Sequence, residues 1–135
     1  MPKLNENQII ERTADYLKSR GAIIKSLCTT TQRGPDIVAE FNGKILTIEA
    51  KGDTSSNPNS NRFATGFSKN QLWSHTSVAL MKTLVDMNSP NSADSLFGLA
   101  LPESHKQIIF WIKTSLGKLG VLVFLVSENG EVYQY

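Results

Sequence analysis

The sequence predicts a single α/β domain in which helices flank a mixed central sheet. Segments with helical periodicity alternate with short apolar runs along the chain. Two Asn-Gly dipeptides, at 42–43 and 129–130, each join two such runs, the strongest short-range signal for a β-hairpin. The 135 residues, 40% hydrophobic and 19% charged, make one domain large enough to bury a core without disulfide or metal staples.

Residues 6–20 (ENQIIERTADYLKSR) are expected to form a helix, because Ile9, Ile10, Thr13, Ala14 and Leu17 recur on one face and Gly21 supplies a stop. A short strand over 22–27 (AIIKSL) leads through the polar link CTTTQRG to strands over 35–41 (PDIVAEF) and 44–51 (KILTIEAK). Residues 53–67 (DTSSNPNSNRFATGF), rich in Ser, Asn and Gly, read as a loop. A long helix is expected from about Lys69 to Met87, with Leu72, Thr76, Ala79, Leu80, Thr83, Leu84 and Met87 as its buried stripe. SPNSAD breaks it. SLFGLAL (95–101) is then a strand, SHKQIIFWIKTSLGKLG (104–120) a helix ending at glycine, and VLVFLVSE and EVYQY a closing hairpin over Asn129-Gly130. The resulting order is helix, three strands, helix, strand, helix, two strands.

Composition bounds the function more by exclusion than by assertion. No apolar run approaches the roughly eighteen residues of a membrane span, so no membrane partner is expected. The opening MPKLNENQII lacks the basic-then-apolar layout of a secretion signal. Cys28 is the sole cysteine, which excludes an internal disulfide and a cysteine-based zinc cluster and points to a reducing, cytoplasmic setting. The net charge of +2 permits a nucleic-acid partner without announcing one.

The informative stretch is GPDIVAEFNGKILTIEAKG, residues 34–52. With Asn42 and Gly43 as the loop, residue 41 faces 44, 39 faces 46, 37 faces 48, and Asp36 falls opposite Glu49. Side chains alternate between faces, so Lys51 shares the face of Glu49, while Ile37, Ala39, Phe41, Leu46, Ile48 and Ala50 form an apolar surface on the other. Directly opposed carboxylates stand roughly 5 Å apart at Cβ and repel. A shared proton offsets that repulsion by raising one pKa. A hard divalent cation offsets it too, since Mg²⁺ is typically held by one or two carboxylates together with water and phosphate oxygens. A neighbouring lysine suits the second arrangement, because it can orient a water or meet negative charge developing on a phosphate.

Pro35-Asp36, twelve residues, then Glu49-Ala50-Lys51 resembles the PD-(D/E)xK nuclease superfamily, with its restriction-endonuclease-like fold. A Glu-x-Lys triplet alone arises by chance at roughly one position in 300, so the aspartate at the cross-strand position carries the resemblance. The resemblance covers the helix, three strands, helix and strand over residues about 6–101, with 102–135 as a C-terminal helix and hairpin beyond that core. It implies a Mg²⁺-dependent DNA endonuclease, with Mn²⁺ as a substitute ion. It makes Asp36, Glu49 and the carbonyl of Ala50 metal ligands and Lys51 the catalytic lysine.

The nearest likeness within that superfamily is to archaeal-type Holliday-junction resolvases and Mrr-type endonucleases, which add a glutamate from the first helix and a glutamine from the helix after the lysine. That implies Glu11, with Glu6 as the alternative, and Gln71; a solvent-facing helix acid accounts equally for either glutamate. Ser68-x-x-Gln71 also reads as a capping box, and the two roles are compatible. By the same likeness Thr30 or Thr31, with Arg33, lies near the scissile phosphate, and Arg62 and Lys69 are candidates for phosphate contacts that position DNA without reading its sequence. His75 falls one turn after Gln71, either facing the site or partly buried, and His105 reads as structural or exposed. Trp73 and Trp111 read as core or interface residues. A homodimer is expected by analogy, with IIFWI and VLVFLV as either its interface or simply core. Two other readings stay open: a nucleic-acid-binding module that keeps the fold without catalysis, and a different phosphoester hydrolase on the same site.

Overall fold

A capping box starts the first helix, α1 (Glu6–Ser19): Asn5 accepts the Gln8 N–H at 2.9 Å, and Gln8 accepts the Asn5 N–H at 2.8 Å. The computed structural model describes residues 3–28, 34–54, 67–90 and 92–135. The side chains α1 buries are Ile9, Ile10, Thr13, Ala14 and Leu17, the stripe expected from the spacing.

The six strands are β1 (Ile23–Leu27), β2 (Ile37–Phe41), β3 (Lys44–Ala50), β4 (Ser95–Pro102), β5 (Val121–Val126) and β6 (Val132–Gln134), and they lie in the sheet in sequence order. β1, β2 and β3 form an antiparallel meander. β3, β4 and β5 run parallel, and β6 returns antiparallel beside β5. The parallel pairings need crossovers, supplied by α2 (Lys69–Met87) and α3 (Lys106–Leu119), the latter preceded by a 3₁₀ turn at Glu103–His105. Among the described residues no helix is long and apolar enough to cross a membrane.

Each face of the sheet carries its own core. α1 packs Ile9, Ile10 and Leu17 onto Ile37, Ala39, Leu46, Ile48, Ala50, Phe124 and Val126. On the opposite face, Ala79 of α2 and Ile109 and Leu116 of α3 cover Leu99, Leu101, Val121, Val123 and Leu125. β5 thus feeds alternate residues to both cores, as a central parallel strand does. That settles VLVFLV as core. IIFWI is divided: Ile109 is buried, whereas Phe110 and Trp111 are exposed. Trp73 is exposed as well, so neither tryptophan belongs to the core.

The two Asn-Gly sites fold differently. Asn42 and Gly43 both take positive φ (53° and 76°), the two-residue turn expected of the dipeptide. At the second site the pairing is Val126 with Val132, and Ser127 N–H bonds the Glu131 carbonyl, so the loop is residues 128–130. Gly130 N–H bonds the Ser127 carbonyl and Gly130 alone takes the left-handed conformation (φ 90°). This corrects the expected turn over Asn129-Gly130. The reason lies in the side chains: the Ser127 hydroxyl and the Asn129 side-chain amide oxygen both accept the Glu131 N–H and hold the longer loop.

Candidate active site

The turn at Asn42-Gly43 sets the pairing Ile37 with Ile48 through Phe41 with Lys44. Asp36 is the next residue outward, which carries it opposite Glu49. There its carboxylate accepts the Ala50 N–H at 2.8 Å, so the first acid is anchored to the strand of the second. The carboxyl groups of Asp36 and Glu49 are themselves hydrogen-bonded. Lys51 follows at the end of β3, its N–H held by the Ala100 carbonyl of β4 at 3.1 Å. The site therefore sits at the C-terminal ends of parallel strands, where open α/β sheets commonly bind ligands.

A third acid arrives from α1. Glu6, in its first turn, is half-buried and close enough to Asp36 for the two charges to interact. Gly52 explains this approach: a Cβ there would stand 2.3 Å from the Glu6 nitrogen and 2.6 Å from the Asn5 carbonyl carbon. A side chain at position 52 would push the helix start away. Asp53 N–H bonds the Leu4 carbonyl at 2.8 Å and Asn5 bridges Thr54, which strap the two segments together. Glu11 lies on the exposed side of α1, away from this junction. Of the two glutamates, Glu6 is the one brought to the pair.

α2 supplies the other wall. Gln71 closes its capping box, accepting the Ser68 N–H at 2.8 Å while its own N–H bonds the Ser68 hydroxyl at 3.3 Å. His75 is half-buried, its ring edge-on to Phe67 at 4.7 Å between centroids, and within the field of Lys51. Lys82 acts electrostatically on Glu6, Asp36 and Glu49 alike. Sequence reasoning missed this second cation. Its signal was available: Lys82 follows His75 by seven residues and Gln71 by eleven, whole numbers of helical turns. Lys69 is exposed at the start of α2. Thr30, Thr31, Arg33 and Arg62 lie outside the described residues. His105 is fully buried, and burial pushes its imidazole down to about 4.

The electrostatics are those of a crowded anionic site. Burial raises the Asp36 carboxyl, against the lowering pull of the Ala50 N–H, the Glu49 hydrogen bond, Lys51 and Lys82. Burial and then the Asp36 charge push Glu49 up to about 7. Burial, followed by Asp36, raises Glu6 too. The pair Asp36–Glu49 therefore gains or loses a shared proton around neutral pH. Among the described residues no three or more His, Cys, Asp and Glu side chains are grouped so as to hold a metal ion. Two adjacent carboxylates nonetheless fit a hard cation that keeps water and phosphate oxygens in its remaining positions.

No family model matches the sequence, and no curated protein matches it. Among solved structures the chain is similar to an fdxN element excision controlling factor protein from Anabaena variabilis, with 19% identity, a TM-score of 0.59, and coverage of 95% of this chain and 97% of that one. It is similar also to a XisH family protein from Nostoc punctiforme, with 15% identity, a TM-score of 0.58, and coverage of 94% and 97%. At these identities the likeness is one of fold, and it extends over nearly the whole of each chain.

Proposed function

We propose that this chain is a Mg²⁺-dependent endonuclease that hydrolyses phosphodiester bonds in DNA, of the PD-(D/E)xK type. The observation that carries the reading is the hydrogen-bonded pair Asp36–Glu49 beside Lys51 at the ends of parallel strands. Asp36 and Glu49 would hold the cation, with the Ala50 carbonyl alongside; Mn²⁺ would serve as a substitute. Such a cation polarises a phosphate oxygen and acidifies a bound water.

The chain's own groups divide the remaining work. The Ala50 N–H fixes the orientation of Asp36, so the first ligand is set before substrate arrives. The Lys51 ammonium meets the negative charge that develops on the phosphate. Glu6, with its raised carboxyl, is suited to hold or pass a proton at the site's edge. Lys82 offsets the negative charge of the three acids when no cation is bound. Gln71 has its carboxamide in the helix cap, so its contact with substrate is limited to what the cap leaves free.

A second reading, a DNA-binding module without catalysis, gains support from the Anabaena neighbour's description as a controlling factor. One experiment separates the two. The protein is incubated with labelled four-way junction, flap, linear duplex and single-stranded DNA in Mg²⁺, Mn²⁺ or EDTA, beside Lys51→Ala. Metal-dependent cleavage lost in the variant supports the nuclease. Binding without cleavage in any metal supports the module. Cleavage that survives Lys51→Ala refutes the assignment of this site.

A further inference from the structure

The helix α3 contains three lysines and no acid. Two of them, Lys106 and Lys113, recur with Phe110 at i, i+7 and i+4, so cation, ring and cation form one stripe of the helix. The Phe110 ring is 62% exposed. Beside the stripe lies an open hollow of about 470 Å³, lined by Glu103, Ser104, Lys106, Gln107, Phe110 and Tyr135. The chain at and after β6 supplies tyrosine rings to this surface. Lys113 Nζ stands 4.0 Å and Lys106 Nζ 5.4 Å from the centre of the Tyr135 ring, and Lys106 Nζ is 5.8 Å from that of Tyr133. Among the described residues neither lysine is within ion-pair distance of a carboxylate. The acid at the rim, Glu103, is engaged instead by the Tyr133 hydroxyl, which donates to it at 3.1 Å.

We propose that this hollow binds single-stranded nucleic acid, with phosphates on Lys106 and Lys113 and a base stacked on Phe110. Charge favours a polyanion. The two lysines stand two turns apart, about 10 Å along the helix, and only water and ring faces meet their ammonium groups, so phosphate oxygens displace no ion pair. The exposed ring favours nucleic acid over an acidic peptide. A base brings a flat π-face to Phe110 whatever its identity, whereas a carboxylate side chain leaves that ring in water. The same ring favours an open strand over a duplex, because paired bases stack on one another and show a protein only their edges and backbone. Exposed Gln107 adds a carboxamide that both donates and accepts at a base edge. The hollow falls within the roughly 300–1,000 Å³ of small-ligand sites, which leaves room for a nucleotide. It lies at the same end of the sheet as the carboxylate pair: Glu103 and Ser104 also line a cleft with Asp53, two residues after Lys51.

The proposal does not depend on cleavage at Asp36–Glu49, and its test separates the two. Fluorescence anisotropy of a labelled oligothymidine, in EDTA and over a range of salt, is measured for the full chain and its variants. Phe110→Leu should weaken binding about 5- to 100-fold, the loss of one stacked base, while Phe110→Trp retains it. Lys113→Gln should lower the slope of log K against log salt by about 0.7, whereas Lys18→Gln, an exposed lysine of α1, leaves it unchanged. Circular dichroism should be the same throughout, because all three positions are exposed. Absence of binding at low salt overturns the proposal, as does wild-type affinity in Phe110→Leu. Binding that responds to Lys51→Ala but not to Phe110→Leu also overturns it, placing the strand at the carboxylate site alone. So does tighter binding of the duplex, or displacement of the strand by polyglutamate at equal charge, which assigns the hollow to an acidic peptide.

Discussion

The hairpin β2–β3 has two faces made from alternate residues of the same strands, and they are built to opposite ends. One carries Ile37, Ala39, Leu46, Ile48 and Ala50, all fully buried under α1. The other carries Asp36 and Glu49, with Lys51 just beyond, in surroundings that push both carboxyls upward. The first face lowers the free energy of the fold by removing apolar area from water. The second raises it, because like charges are buried together. The contrast separates residues kept for stability from residues kept despite their cost to stability.

The largest expected effect tests the second face alone. Lys51→Ala should lower the rate of DNA cleavage by about 10²–10³-fold, the loss typical of one preorganised charge. Its unfolding free energy in urea should change by no more than about 0.5 kcal/mol, since Lys51 belongs to neither hydrophobic core. A comparable loss of stability would merge the two faces into one role. Ile48→Ala tests the first face and should cost about 2–5 kcal/mol by urea denaturation, because it leaves a cavity under α1. Retained metal-dependent cleavage below its unfolding midpoint would sharpen the separation.

Gly52→Ala strikes the joint between the faces. The added methyl meets the Asn5–Glu6 backbone, so a loss of about 1–3 kcal/mol is expected. Activity should drop along with it if Glu6 works at the site, and restoring Gly should restore both. An alanine variant with unaltered melting would show that the helix start yields freely.

The pH dependence is smaller and distinctive. Glu49 titrates near 7 in the folded chain, above its ordinary value of 4.5. The folded state thus binds this proton more tightly, so the contribution is fully present below about 4.5 and is lost as pH rises through 7. In EDTA, Glu49→Gln should gain on the wild type across that window, by about 1–2 kcal/mol after allowance for solvent screening. Mg²⁺ should raise the wild-type melting temperature more at pH 7.5 than at pH 5.5, and should leave the variant nearly unmoved. Equal shifts at both pH values would detach Glu49 from the cation. The smallest effect belongs to the turn: Gly43→Ala, at φ 76°, should cost about 1 kcal/mol, read from the same urea titrations.

Much of this was legible in the sequence, and the limits have physical causes. α2 was read with the bounds it adopts, because capping by Ser68 and Gln71 and the break after Met87 are local signals. The second strand was read two residues early, at Pro35; Asp36 instead leaves the ladder to accept the Ala50 N–H through its side chain. The two tryptophans were read as core or interface, and periodicity alone does not tell a helix face covered by a sheet from one that is open. Glu11 was preferred over Glu6 by likeness of its helix, while the rotation of α1 against the sheet, which turns Glu11 outward, is a non-local property.

The sequence by itself determined the register of β2 on β3, and with it the meeting of Asp36 and Glu49. An Asn-Gly turn with both φ positive admits one pairing, and a period of two then assigns every side chain its face. Only the tertiary structure decided which helix groups join that pair. Glu6 reaches it because Gly52 lets the start of α1 come within contact of the strand's end, and Lys82 because α2 lies along the same edge. The same division holds for the second Asn-Gly, where the Ser127 and Asn129 side chains held a longer loop than the dipeptide predicts. Local backbone preference fixes a turn when nothing competes with it; the docking of one element on another depends on packing between residues far apart in the chain.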